Sequence, residues 1–284
     1  MYKCLLVLVV FSYSCQSVEN SEKELSPGGE QVISNYYSEV LEDSIKYQIY
    51  LPHSYSESAP GFPVLYLLHG HGGDETVWFS EEKGNVIPLF DSLIHNKIIP
   101  PVITVSMDAG NSWYVDGPTQ MQTAYLEEFI PFIESTYNID ESHDSRFIAG
   151  ISAGGFGALR FSMIHPELFR SVILLSPASY LPAPPEVSSA RKVDAFSIEG
   201  YFNDELWQSY SYLNLLDIFL DSEVKPEYYI SSGDDDKYNI APVVTNLQQL
   251  FLENDVSVEL RITDGGHDWD CWRPVFEEWL PKIF

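Results

Sequence analysis

Gly150-Ile151-Ser152-Ala153-Gly154 is the stretch on which the reading of this chain turns. It fits the pattern G-x-S-x-G, in which a serine sits on a sharp strand-to-helix turn. Side chains at the two flanking positions would collide with neighbouring elements. Alone the pentapeptide is a weak signal, and its surroundings strengthen it. The apolar run Arg146–Ala149 leads in as a strand, and Gly155–Ile164 continues as a helix that stops at His165-Pro166. Gly155, Gly157 and Ala158 keep that helix thin enough to lie close to a sheet.

Outward from this turn, strand-like and helix-like runs alternate, which points to an α/β sheet. Upstream, Ile45–Leu51 alternates in strand fashion. Phe62–Leu68 and Val102–Met107 are near-continuous apolar runs, as expected of strands buried on both faces. Thr123–Tyr137 reads as a helix, with Leu126, Phe129, Ile130 and Ile133 facing inward and Glu127, Glu128 and Glu134 on the surface. Downstream, Ser171–Leu175, Glu227–Ser231 and Val256–Ile262 supply strands, and a helix closes the chain from about Trp272 to Ile283. Between them Pro177–Leu215 lacks a clean period but is rich in aromatics, including Phe196, Tyr201, Phe202, Trp207, Tyr210 and Tyr212. An insertion of that length is more often functional than idle. The expected architecture is an α/β-hydrolase fold: a mostly parallel central sheet flanked by helices, with an aromatic-rich insertion after the sixth strand.

In such folds the catalytic residues follow the order serine, acid, histidine. Only His165 and His267 lie beyond Ser152, and His165 ends the serine's own helix. His267, in Gly265-Gly266-His267-Asp268 directly after the last strand, is therefore the candidate base. The acid belongs to the loop after the preceding strand, where Ser232-Gly233-Asp234-Asp235-Asp236 offers three carboxylates. Position alone does not choose among them. The segment does not match the spacing of a calcium loop. The glycine-rich turn His69-Gly70-His71-Gly72-Gly73 can aim a backbone N–H at a substrate oxygen, with Ala153 supplying the second donor. His69-x-His71 with Asp74 also invites a zinc reading, but the spacing departs from H-x-H-x-D-H, with Gly73 and Glu75 in the decisive places.

The composition is that of one globular domain, 284 residues with 45% hydrophobic and 20% charged. Forty-two acidic against fifteen basic residues give a formal net charge of −27, which disfavours nucleic acid as a partner. Lys3 and the apolar run Cys4–Phe11 read as a signal peptide, residues 1–14, too short to span a bilayer. Residues 15–31 read as a flexible acidic tether and 32–284 as the catalytic domain. Cys15 stands where a bacterial lipoprotein carries its lipid, so membrane contact is expected only through that group, and the protein is expected to be exported.

With these motifs assembled, the chain resembles the esterase D-like family of α/β-hydrolases. That family includes feruloyl and acetylxylan esterases, tributyrin esterases, S-formylglutathione hydrolases and mycolyltransferases. The landmarks are Tyr66–Glu75, Asn111-Ser112-Trp113-Tyr114, Gly150–Gly155, Ser232–Asp236 and Gly266-His267-Asp268-Trp269. The resemblance runs from roughly Lys46 to the C-terminus. It implies Asp236 as the acid through the pattern G-x-x-D, the amide of His71 as the first oxyanion donor, and Trp113 and Tyr114 as substrate-binding residues. It further implies a serine ester hydrolase that needs no metal or organic cofactor. Its partner would be a small-molecule or polysaccharide ester, with acyl or feruloyl groups the candidates. Alternatives are an acyltransferase, an S-formylglutathione-hydrolase-like thioesterase and a non-catalytic glycan-binding lipoprotein.

Overall fold

A computed structural model describes residues 28–284. Its centre is an eight-stranded sheet in the order β1-β2-β4-β3-β5-β6-β9-β10. β1 (Glu30–Ser38) and β2 (Asp43–Leu51) form an antiparallel edge. β2 in turn runs antiparallel to β4 (Ile103–Met107). From β4 onward the neighbours are parallel: β3 (Val64–Leu68), β5 (Arg146–Ile151), β6 (Ser171–Leu175), β9 (Glu227–Gly233) and β10 (Val258–Thr263). The central strands are apolar on both sides because both sides are covered. Val64, Tyr66 and Leu68 of β3 enter one core layer, and Leu65 and Leu67 enter the other. The first layer is closed by α4 (Ala153–Ile164) and α7 (Ile240–Glu253), the second by α1 (Val86–His95) and α8 (Trp269–Ile283).

The segment read as one helix over 123–137 is interrupted. α2 (Met121–Thr123) passes into a π-helical turn, Ala124–Phe129, before α3 (Ile130–Thr136). Pro131 has no N–H to return to the carbonyl of Glu127, so the regular ladder fails there. Two of its acids are partly buried and paired rather than free on the surface. The Glu134 side chain is 8% exposed and receives Arg146 Nε at 2.6 Å and Nη2 at 2.9 Å. Glu128 accepts the Ser38 hydroxyl and the Val40 N–H, tying β1 to this helix.

The stretch after β6 carries the expected aromatic insertion. It contains 3₁₀ turns at Ser189–Lys192, Asp194–Phe196 and Tyr212–Leu215, and the two-residue strands β7 (Ser197–Ile198) and β8 (Tyr201–Phe202). α5 (Asp204–Ser209) and α6 (Leu216–Asp221) complete it. Most of its aromatics serve packing: Phe196 lies 4.8 Å from Trp207, which stacks on Phe156 of α4 at 5.5 Å.

The N-terminal expectations fall largely outside the described residues: the signal peptide 1–14, Cys15, and most of the tether 15–31. The tether's last two residues are corrected, because Glu30 and Gln31 already pair with Leu51 and Tyr50. Their polarity suits an edge strand with one solvated face. Among the described residues, no helix is long and apolar enough to cross a membrane.

Candidate active site

The chain leaves β5 at Ile151 and enters α4 at Ala153, so Ser152 alone makes the turn. It does so with φ 54° and ψ −115°, a conformation that costs about 1–3 kcal/mol outside glycine. Backbone bonds hold it there: Ser152 N–H donates to the Leu175 carbonyl at 2.9 Å, and its own carbonyl accepts from Phe156 and Ala178 at 3.0 and 3.1 Å. The flanking glycines are required by close approach. A Cβ at Gly150 would lie 2.2 Å from the Gly154 carbonyl oxygen, and one at Gly154 would lie 2.3 Å from that of Leu68.

Two loops bring an imidazole and a carboxylate to this serine. The turn after β9 and the turn after β10 are laced together. Asp234 N–H donates to Thr263 O at 2.9 Å and Asp235 N–H to Gly265 O at 3.0 Å, while Gly265 N–H returns to Asp234 Oδ1 at 3.1 Å. His267 Nε2 then lies 2.9 Å from Ser152 Oγ, and Nδ1 lies 2.7 Å from Asp236 Oδ2. The other Asp236 oxygen, Oδ1, accepts Tyr238 N–H at 2.9 Å. A carboxylate accepts at both oxygens, so Nδ1 carries the imidazole proton and Nε2 faces the serine as an acceptor. The Asp236 side chain is 1% exposed and that of His267 8%, and the ring is flanked edge-on by Tyr238 at 4.7 Å and Trp272 at 5.0 Å. Asp234 and Asp235 are exposed beside Asp264 and stay away from the imidazole.

Opposite the histidine lies the turn after β3. Its amides have distinct fates. Gly72 N–H donates to Asn111 Oδ1 at 2.7 Å and Gly73 N–H to Gly70 O at 3.0 Å. Among the described residues the amides of His71 and Ala153 have no acceptor, and both residues sit beside Ser152. Two free donors beside a serine hydroxyl can receive negative charge that develops on the carbonyl oxygen of an ester bound there. His69 is unsuited to the zinc reading because both its nitrogens are engaged. Nδ1 donates to Gly70 O at 2.8 Å, and Nε2 accepts Ala109 N–H at 3.0 Å. Burial also holds its pKa below the ordinary 6.5, so the ring stays neutral. Asp74 accepts from the Thr76 amide and hydroxyl instead.

Trp113 and Tyr114 divide. Trp113 borders the cleft and donates from Nε1 to His71 Nδ1 at 3.1 Å. Tyr114 is a correction: as buried as Trp113 but not part of the cleft wall, it packs against Tyr125 and Phe161 and donates its hydroxyl to His69 O at 3.1 Å. Its role is to support the turn rather than touch a ligand. The cleft over Ser152 has a volume of about 260 Å³ and further aromatic walls in Tyr180, Tyr238, Trp269 and Trp272. Tyr180 belongs to the aromatic insertion already singled out; sequence reasoning missed Tyr238, Trp269 and Trp272 as cleft residues, although Trp269 stands two places from His267 in a landmark already noted.

The model of the esterase family described as "Putative esterase" matches residues 38–283. An acetyl esterase of Caldicellulosiruptor saccharolyticus is 27% identical over 276 residues, which span 88% of this chain and 97% of that protein. An endo-1,4-beta-xylanase/feruloyl esterase of Xylanibacter ruminicola is 30% identical over 170 residues, 56% of this chain and only 23% of that longer protein. Among solved structures, a ferulic acid esterase superposes with a TM-score of 0.74 at 24% identity, covering 90% of this chain and 97% of its own. That likeness speaks for the fold.

Proposed function

Because this chain belongs to that esterase family of α/β-hydrolases and is a serine esterase, we propose that it hydrolyses acyl or feruloyl esters of polysaccharides through an acyl-enzyme on Ser152. The observation carrying this reading is the hydrogen-bonded series from Ser152 Oγ through His267 to Asp236, at the floor of a partly aromatic cleft. As Ser152 Oγ attacks the ester carbon, its proton passes to His267 Nε2. Asp236 stabilises the imidazolium without taking the proton. The amides of His71 and Ala153 hold the oxyanion, each donor being worth about 3–4 kcal/mol in comparable sites. His267 then hands its proton to the departing alcohol. A water deprotonated by the same nitrogen attacks the acyl carbon and frees Ser152.

The acyl preference draws support from two directions. The relatives named above are an acetyl esterase and a bifunctional feruloyl esterase. The parts of Trp113, Tyr180, Trp269 and Trp272 that reach the cleft give it an apolar lining that suits a phenolic acid as well as a short acyl chain. Export belongs to the same proposal: the basic, apolar start and Cys15 suit a lipoprotein working on an extracellular glycan, and N-terminal mass analysis of the cell-derived protein tests that part.

The test compares p-nitrophenyl acetate, p-nitrophenyl butyrate and methyl ferulate, with Ser152→Ala as the blank. The variant should lose at least about 10³-fold in kcat with its fold intact. Turnover retained by a pure Ser152→Ala protein would remove the nucleophile assignment, and equal inactivity of wild type on all three esters would remove the esterase reading.

A further inference from the structure

Behind one wall of the catalytic cleft lies a second space of about 220 Å³, between the aromatic insertion and the start of α7. Among the described residues only Tyr180 and Tyr238 border both spaces, so these two side chains form the partition between them. Apart from Ser179, Asn239 and Asn246, the wall of this recess is apolar or aromatic, with Leu181, Tyr212 and Val243 among its members, and no charged residue lines it. The two halves of the partition differ in their other duties. Tyr238 belongs to the catalytic loops: its N–H holds Asp236 Oδ1 at 2.9 Å, and its ring meets His267 edge-on at 4.7 Å. Tyr180 makes no hydrogen bond to Ser152, His267 or Asp236. It is buried and set by the insertion instead, its ring 6.4 Å from that of Trp207 and its carbonyl accepting Trp207 Nε1–H at 3.3 Å.

We propose that Tyr180 is a specificity-determining residue: its ring shuts the recess off from the acyl group of the bound ester and so limits how far an acyl chain extends past Ser152 on this side. The inference rests on the esterase reading above and holds whatever alcohol the ester carries. Its assignment to the acyl half follows from the two-step chemistry. The alcohol departs and a water takes its place, so the alcohol side of the cleft has to stay open. The acyl group stays bonded to Ser152 through both steps, which suits the side that ends on a closed partition. What the recess would take once opened is an aliphatic chain, because a carboxylate or ammonium end would be desolvated there without a charged partner.

The experiment uses the full chain with p-nitrophenyl butyrate, p-nitrophenyl octanoate and octyl acetate. Tyr180→Ala joins the two spaces, and the ratio of kcat/KM for octanoate to that for butyrate should rise about tenfold, the worth of roughly two newly buried methylenes. Tyr180→Leu keeps an apolar contact for Trp207; it should raise the ratio about fivefold and carries the test if the alanine variant does not fold. Val243→Trp added to either variant refills the recess and should bring the ratio back to within about twofold of wild type. Tyr180→Phe should leave it within about twofold, because the ring rather than the hydroxyl is the partition. A ratio within about twofold of wild type in the folded alanine or leucine variant overturns the assignment, as does a gain that survives Val243→Trp. A gain for octyl acetate over p-nitrophenyl butyrate, in place of the octanoate gain, overturns it too. In each of these results wild-type turnover leaves the esterase chemistry standing, whereas wild type that cleaves none of the three esters overturns the esterase reading itself.

Discussion

Replacing Asp236 by asparagine exchanges one carboxylate oxygen for an NH₂ group and tests the orienting role of the carboxylate. Oδ1 accepts Tyr238 N–H at 2.9 Å and Oδ2 accepts His267 Nδ1–H at 2.7 Å. Asparagine has one oxygen for these two donors. The Tyr238 amide can only donate, so it takes the oxygen, and the new NH₂ turns to the imidazole. His267 must then accept at Nδ1 and carry its proton on Nε2, 2.9 Å from Ser152 Oγ, where it cannot receive the serine proton. The opposite rotamer sets the NH₂ against Tyr238 N–H and leaves a buried donor unsatisfied, at about 1–3 kcal/mol. The wrong tautomer in an equivalent triad costs about 10⁴ in kcat. For Asp236→Asn a fall of about 10³–10⁴ is therefore expected, or ~4–5.5 kcal/mol of barrier. KM for p-nitrophenyl acetate and the thermal midpoint should change little, since the buried volume is unchanged. The assay is initial rates on active-site-titrated protein, with Asp234→Asn and Asp235→Asn as controls that keep most activity. A kcat for Asp236→Asn above about one-tenth of wild type, or an equal loss in a control, would refute the reasoning.

Glu134→Gln should lower stability by about 3–5 kcal/mol, because it leaves the Arg146 guanidinium buried without its bidentate carboxylate; an unchanged urea midpoint would contradict this. His69 predicts a pH dependence of folding. Its folded pKa lies below the ordinary 6.5, so in the window beneath 6.5 the unfolded chain binds a proton that the folded chain refuses. Stability is thus lost as pH falls through that window. The urea midpoint of wild type should drop more than that of His69→Asn between about pH 7.5 and pH 5.5, the net-charge contribution cancelling in the comparison. A difference that does not vary with pH would refute the assignment.

Much of the site is local in sequence and was therefore legible. The strand-serine-helix turn, the glycine-rich turn after β3 and the histidine after the last strand are each short segments whose chemistry and conformation agree. What escaped depends on partners distant along the chain. β1 alternates with exposed Ile33 and Tyr37 among polar residues, so nothing but its pairing with β2 marks it as strand. The choice of Asp236 among three carboxylates is made by Tyr238 N–H and by the crossing of two loops. Glu134 looks like any solvent-facing acid until Arg146 arrives from β5. α1 and α7 did carry a readable signal: Val86, Phe90 and Leu93, and Ile240, Val244, Leu247 and Phe251, recur at helical spacing and are all buried. The aromatic insertion was visible as composition, but only packing separates Phe196 and Trp207, which are core, from Tyr180 at the cleft.

The turn 69–73 is laced to the segment 109–114 by four hydrogen bonds that run in both directions. Ala109 N–H reaches His69 Nε2, Gly72 N–H reaches Asn111 Oδ1, Trp113 Nε1 reaches His71 Nδ1, and the Tyr114 hydroxyl reaches His69 O. Two stretches some forty residues apart in the chain are thus tied into one bracket beside Ser152. Each stretch is therefore answerable to the other: losing the Asn111 carboxamide would strand the Gly72 N–H, and losing the His69 ring would strand the Ala109 N–H, so transplanting one segment without its mate would import half a joint.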